Sequence, residues 1–175
     1  MNQTVMPAPI WRRLAAAVYD GLLLLGLWMV ILLIDAVVRN AAGLDREWHL
    51  LRGLLFVIGL AFFGWFWTHG GQTLGMRAWR LQLRQDGGGA VHWLGAAIRY
   101  AATLLCWSVA LTPMLMRLPL FAGSRHAAMA GTVAVIALLC GFLMMRLDAR
   151  KRGPQDWISR SEVVVLPKPE QGRTG

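Results

Sequence analysis

Charged residues are scarce in this chain, only 15% of 175, and acids are scarcer still, with 9 Asp and Glu against 18 Lys and Arg. A soluble domain carries about 25% charge. With 57% apolar residues and a mean hydropathy of +0.49, the chain has more apolar surface than one small water-soluble core can bury. Cysteine is nearly absent: Cys106 and Cys140 stand alone in apolar runs, with no metal-ligand spacing and no disulfide framework. The composition excludes intrinsic disorder, a collagen-like fibre and a disulfide-stapled secreted domain. Hydroxyls are few in the apolar runs (Thr103, Ser108, Thr112, Thr132), none beside a histidine, and no two carboxylates are visibly paired. The sequence therefore offers no nucleophile–base pair, and the expectation is a protein that is not an enzyme and has no cofactor or bound metal.

Long apolar runs are what it does have. Four stretches, about 14–38, 50–67, 94–116 and 127–145, approach or exceed the ~20 residues that cross a ~30 Å hydrocarbon layer. The spacing predicts an all-α membrane protein: a four-transmembrane-helix bundle with a small cytoplasmic cap of amphipathic and β-hairpin character. Pro113 predicts a bend near the far end of the third span. The first run follows Trp11-Arg12-Arg13, is longer than a signal-peptide core and is interrupted by Asp20, so it reads as a retained span. Residues 1–13 then form a cytoplasmic tail, 14–166 the membrane domain and 167–175 a disordered tail.

The net charge of +9 reads as membrane orientation and not as nucleic-acid binding, because the bases are spread over several loops. Twelve Lys and Arg fall on the side holding both termini and the 68–93 loop, and five on the other. Both termini are expected in the cytoplasm of a bacterial inner-membrane protein, with Trp11, Trp65, Trp67 and Trp93 in an interfacial belt. In the 68–93 loop, Trp79, Leu81 and Leu83 alternate with Arg80, Gln82 and Arg84, a strand pattern followed by the turn signal Asp86-Gly87-Gly88-Gly89. Val163–Leu166 is a second strand candidate, able to pair with the first. No internal repeat is evident.

Charge inside a span costs about 2.5–3.5 kcal/mol and calls for a partner or a task. Asp20 lies two turns into the first span, seven residues after Arg13, a spacing that suits a ladder of polar groups on one helix face. Arg99 enters the third span from the same leaflet and is a candidate partner for Asp20. Asp35 and Arg39, four residues apart, read as a helix-end pair. His49, His69, His92 and His126 do not cluster. Gly70–Gly75 lacks the Gly-Lys-Ser/Thr ending of a phosphate loop and reads as the flexible entry to an interfacial segment.

The run Trp-Arg-Arg-Leu-Ala-Ala-Ala-Val-Tyr-Asp (11–20), Gly-Gln-Thr-Leu-Gly-Met-Arg (71–77), Arg99 and Asp156 before a Val-rich end together resemble the RDD family of bacterial multi-pass membrane proteins. The resemblance spans about Ile10 to Leu166. It implies that Arg13 (or Arg12) is the family's arginine, Asp20 its first aspartate, and Asp156 (or Asp148) its second. The third motif departs from the family's pattern: Gln155 replaces the usual His, and Ser159-Arg160-Ser161-Glu162 occupies the Gly-Thr region. The resemblance implies two functional readings. One is small-solute or cation/proton transport, with Asp20 as the titrating ion or proton site; desolvation and nearby guanidinium groups act on such a carboxyl in opposite senses. The other is a non-catalytic scaffold or accessory subunit that binds other membrane proteins or itself. For Arg13, Asp20, Arg99 and Asp156 the structural alternative is an ion-pair network that pins helix ends. The partners expected are the lipid bilayer, a homo-oligomer or other membrane proteins.

Overall fold

The computed structural model describes residues 6–45, 48–118 and 125–167. Four long helices dominate it: α1 (Ile10–Ala42), α2 (Trp48–His69), α4 (Trp93–Leu115) and α5 (Arg125–Leu147). All four are long and apolar enough to cross a membrane, and the protein is an all-α membrane protein with a small cap. The cap consists of the short helices α3 (Leu74–Ala78) and α6 (Pro154–Ile158) and three strands: β1 (Met6–Pro7), β2 (Leu81–Gln85) and β3 (Ser161–Val165). The tail expected to be disordered lies, beyond Pro167, outside the described residues.

Residues 6–13 are part of the fold and not of a separate tail. Met6–Pro7 is a strand, and Arg13 already sits in the first turns of α1. At 33 residues α1 is about 50 Å long, longer than the hydrocarbon is thick, so its first turns belong to the cap. It closes at Gly43, whose φ of 62° fits a left-handed C-cap without a Cβ penalty. Pro113 falls in the last turn of α4 and the helix runs to Leu115, so the expected bend coincides with the helix end.

β2 and β3 pair antiparallel, joining the two strand candidates. The turn after β2 leads into α4, however, so no hairpin closes the pair, and β1 adds to the far edge of β3 to give the order β1-β3-β2. The proline of β1 is tolerated because it sits on an edge. One face of the sheet packs against the helix ends: Leu81, Leu83 and Val163 join Ala8, Ala16, Met76, Val91, Ala96 and Tyr100 in the core. Trp67 is also part of this core, 6% exposed, and not of the interfacial belt, because it faces α4. Trp11 and Trp65 are exposed as expected.

The cap contains a repeat that the amino-acid letters hide. A five-residue helix, a two-residue link and a five-residue strand occur twice, α3–Trp79-Arg80–β2 and α6–Ser159-Arg160–β3, displaced by 80 positions (Leu74 to Pro154, Leu81 to Ser161). The second link residue is left-handed in both, with φ of 54° at Arg80 and 47° at Arg160. The Arg80 carbonyl accepts from Leu166 N–H at 2.8 Å, and the Arg160 carbonyl accepts from Asp86 N–H at 2.9 Å. The counterparts Leu83 and Val163 are paired with each other, so a local two-fold axis passes between them. Each half of the chain is thus two long helices, a short helix and a strand: α1-α2-α3-β2 and α4-α5-α6-β3.

The long helices do not obey this symmetry. α4 packs on α2, α5 and α6, whereas α1 packs chiefly on α3 and touches α2 only slightly. Toward the helix ends remote from the cap, Trp28 donates its indole N–H to the Leu55 carbonyl at 3.1 Å. Beyond it an apolar groove lined by Met29, Leu33, Ala36 and Trp48 separates α1 and α2.

Because Leu83 (2% exposed) lies on the local axis, Leu83→Ala is expected to destabilise the protein by about 2–5 kcal/mol. Leu105→Ala, at an exposed position of α4, is expected to leave stability nearly unchanged. Thermal unfolding of the detergent-solubilised variants, followed by tryptophan fluorescence, checks both.

Candidate functional site

Two polar constellations sit where the cap meets the helices, each centred on one aspartate. Among the described residues, the buried polar and charged side chains are Asp20, Thr73, Arg99, Asp156, Ser159 and Ser161, and all of them belong to these two groups.

The first is a clamp. Gly153 starts α6, Pro154 occupies its first position, where a missing N–H costs nothing, and Asp156 follows at the third. The Asp156 carboxylate accepts the Gly153 N–H at 2.7 Å, closing the helix end on itself. Two guanidinium groups then converge on it. Arg99, from the second turn of α4, donates Nη1 to Asp156 Oδ1 at 2.6 Å. Arg13, from α1, donates Nη2 to Asp156 Oδ2 and Nη1 to the Lys151 carbonyl. Asp156 is fully buried. Burial pushes its carboxyl upward, but Arg99, Arg13 and the Gly153 N–H outweigh that and hold it below the usual carboxylate range.

Two positive charges on one negative leave a surplus, and the surroundings absorb it with acceptors. The Arg99 Nη1 also donates to Ser161 Oγ at 2.7 Å. Ser161 and Ser159 share a hydrogen bond of 2.7 Å, and Ser159 Oγ donates to the Gln155 carbonyl at 2.7 Å. Arg99 lies over the Trp67 ring, 5.4 Å from its centroid, a contact worth about 0.5–2 kcal/mol. Ser159 and Ser161 thus line the clamp. Gln155 offers its side-chain carbonyl to the Cys106 thiol at 3.7 Å.

The second constellation is Asp20, and here the structure corrects the sequence reading. No guanidinium pairs with it among the described residues, and Arg99 turns instead to Asp156. Asp20 Oδ2 accepts from the Thr73 hydroxyl at 2.5 Å, and Oδ1 from the Gly75 N–H at 2.8 Å. Thr73 is the N-cap of α3, its Oγ1 accepting in turn from Met76 N–H at 3.2 Å. Neutral donors reach the carboxylate because α3 lies directly on α1: a Cβ at Gly75 would stand 2.9 Å from Asp20 Cγ and 2.5 Å from the Ala16 carbonyl oxygen. Gly70–Gly75 is therefore held by specific contacts and is not simply a flexible entry: Thr73 and Gly75 fit against α1, and Gly71 and Gln72 against β2. Nor do Arg13 and Asp20 form one ladder, since Arg13 reaches the α5–α6 connection and Asp20 reaches α3.

The remaining candidates lie elsewhere. Asp148 pairs with Arg152 at 3.1 Å; that hydrogen bond lowers its carboxyl below the usual range, and it takes no part in the clamp. Asp35 and Arg39 form the expected helix-end pair at 2.7 Å. Sequence reasoning missed Thr73, Ser161 and Gly153. Thr73, directly before Leu-Gly-Met-Arg, was readable as an N-cap, as was Gly153 before Pro154 with Asp156 at the third helical position; nothing local marks Ser161.

With this geometry in place, comparison with known proteins adds one positive finding. The model of the RDD family matches residues 7–160, a stretch that includes Arg13, Asp20, Arg99 and Asp156. No curated protein and no solved structure matches the chain.

Removing one partner of a buried ion pair costs about 3–5 kcal/mol, so Asp156→Ala, which strands two guanidiniums, is expected to lower the melting temperature more than any other single change at the site. The pH dependence follows from the sign of the shift. A carboxyl held below 3.8 when folded contributes stability at neutral pH and loses it as pH falls through and below that value. The expected result is a falling melting temperature on the acid side whose slope is shallower in Asp156→Asn. At Asp20, the Ala variant leaves the Thr73 and Gly75 donors unpaired and is expected to cost about 1–3 kcal/mol. Asp20→Asn retains an acceptor and is expected to lose less, as measured by thermal melts of the purified variants.

Proposed function

The chain belongs to the RDD family, and from that premise we propose that it is a non-catalytic membrane scaffold that binds partners through its intramembrane helix faces. What carries this reading is the one-sided placement of its buried polar groups. Asp20, Thr73, Arg99, Asp156, Ser159 and Ser161 all lie at the cap end. Among the described residues, no buried polar or charged side chain continues toward the opposite ends of the helices, as a route for ions across the hydrocarbon would require. The oxygens of both aspartates are engaged in internal bonds. Meanwhile the most apolar stretches of α1 and α5 are only 6% buried within the molecule, leaving most of their surface for lipid or another protein.

The proposal places the protein in the bacterial inner membrane with both termini and the cap in the cytoplasm. Twelve Lys and Arg on the cap side against five on the other support that orientation.

One observation favours the transport reading: Asp20 is a buried carboxylate, 5% exposed, with no ion-pair partner among the described residues. A group of that kind is a candidate proton site. The scaffold reading predicts no proton, Na⁺ or K⁺ flux above empty-liposome background when the purified protein is reconstituted and a pH or salt gradient is imposed. Flux that disappears in Asp20→Asn while the variant stays folded overturns the scaffold reading in favour of transport.

A further inference from the structure

The internal two-fold identifies an incomplete interface. In the cap the halves are equivalent down to backbone hydrogen bonds, and the axis relating β2 to β3 makes α1 the counterpart of α4 and α2 the counterpart of α5. Across the halves, α4 packs closely on α2. Tyr100 lies against Gly59, where a Cβ would meet its ring carbon Cζ at 2.9 Å, and Trp93 lies against Gly64. Phe56 and Phe63 flank the Tyr100 ring at 5.4 and 5.8 Å. The symmetry-equivalent pair is α1 with α5.

At the cap end the two helices do approach, since Arg13 reaches the Lys151 carbonyl just beyond α5. Farther along, packing of α1 on α5 has no extent comparable with α4 on α2 among the described residues. The exposures agree: 22% of the most apolar stretch is buried in α2 and in α4, but only 6% in α1 and in α5. Leu22, Leu25 and Met29 of α1 are 62%, 50% and 63% exposed; Val133, Ile136 and Leu139 of α5 are 64%, 55% and 63% exposed.

We infer that this open side is a self-association surface on which a second copy of the chain seats, α1 of each copy packing on α5 of the other. The argument for a second copy is that the fold itself shows what closes an interface of this kind: the counterpart helices, running antiparallel, close it within one chain. Two copies exchanging the α1–α5 contact cover both of these faces at once and give a closed two-fold dimer. Close packing of apolar helices drives such association in lipid. The inference rests on the scaffold reading and names its partner.

The test is disulfide crosslinking in native membranes. In a Cys106→Ala/Cys140→Ala background, one tagged copy carries a cysteine at Leu22, Leu25 or Met29. A co-expressed copy with a different tag carries one at Val133, Ile136 or Leu139. Oxidation is expected to give a two-tag dimer near twice 19.4 kDa for at least one same-depth pairing. Matched controls at Leu54 of α2 and Leu105 of α4, 48% and 62% exposed, are expected to give none. Melting temperatures of the single-cysteine variants confirm that each folds. Absence of dimer across the whole panel, equal crosslinking at the controls, or a single copy per nanodisc by photobleaching overturns self-association. So does crosslinking of the α1 and α5 positions to a different protein alone. Those outcomes leave the scaffold reading standing, because that reading falls to ion flux.

Discussion

The Asp156 carboxylate is the point on which the architecture converges. It is offered by a five-residue helix too short to persist on its own, and it is gripped by guanidiniums from α1 and α4, the first helix of each half. One side chain thereby fixes three elements that are far apart in sequence. A buried ion pair usually gives back in desolvation much of what it gains in attraction. Its value here lies in specificity: with two donors for one acceptor, no arrangement lacking Asp156 at this place leaves both arginines satisfied. The excess positive charge is spread over Ser161, the Lys151 carbonyl and the Trp67 ring, so the clamp needs no second acid.

The two aspartates do related work by different chemistry. Asp156 fastens α6 to the long helices through charge, and Asp20 fastens α3 to α1 through neutral hydrogen bonds. Since α3 and α6 are counterparts about the local axis, each half of the cap is tied down at the start of its short helix. The division follows from the neighbours. Gly75 lets the α3 backbone approach within hydrogen-bond reach of Asp20, whereas at the α6 counterpart the longer Gln155 occupies that place and the bond is made from one position later.

The membrane helices were legible in the sequence because apolar runs of that length have one comfortable solvent. Arg13, Asp20, Arg99 and Asp156 were legible as residues needing partners, because charge near hydrocarbon is costly. The pairing itself was not. Thr73 and Gly75 lie 53 and 55 positions from Asp20 and carry no charge to advertise them, so the arginines looked like the natural partners. Asp148 and Asp156 differ only in tertiary surroundings. β1 is two residues long and edge-paired, below any periodic signal. The repeat escaped notice because its halves share a backbone path and not side chains: Met76 stands where Asp156 does, and Leu81 where Ser161 does.

The order in which the elements leave the ribosome has a consequence of its own. All four long helices are synthesised before Gly153 emerges. Until α6 and β3 follow, the nascent chain holds Arg13 and Arg99 without their carboxylate and β2 without a neighbouring strand. Closure of the cap therefore cannot precede synthesis of all four long helices. The stretch 153–166 is a keystone: it brings the carboxylate that both arginines share and the strand that lies between β1 and β2.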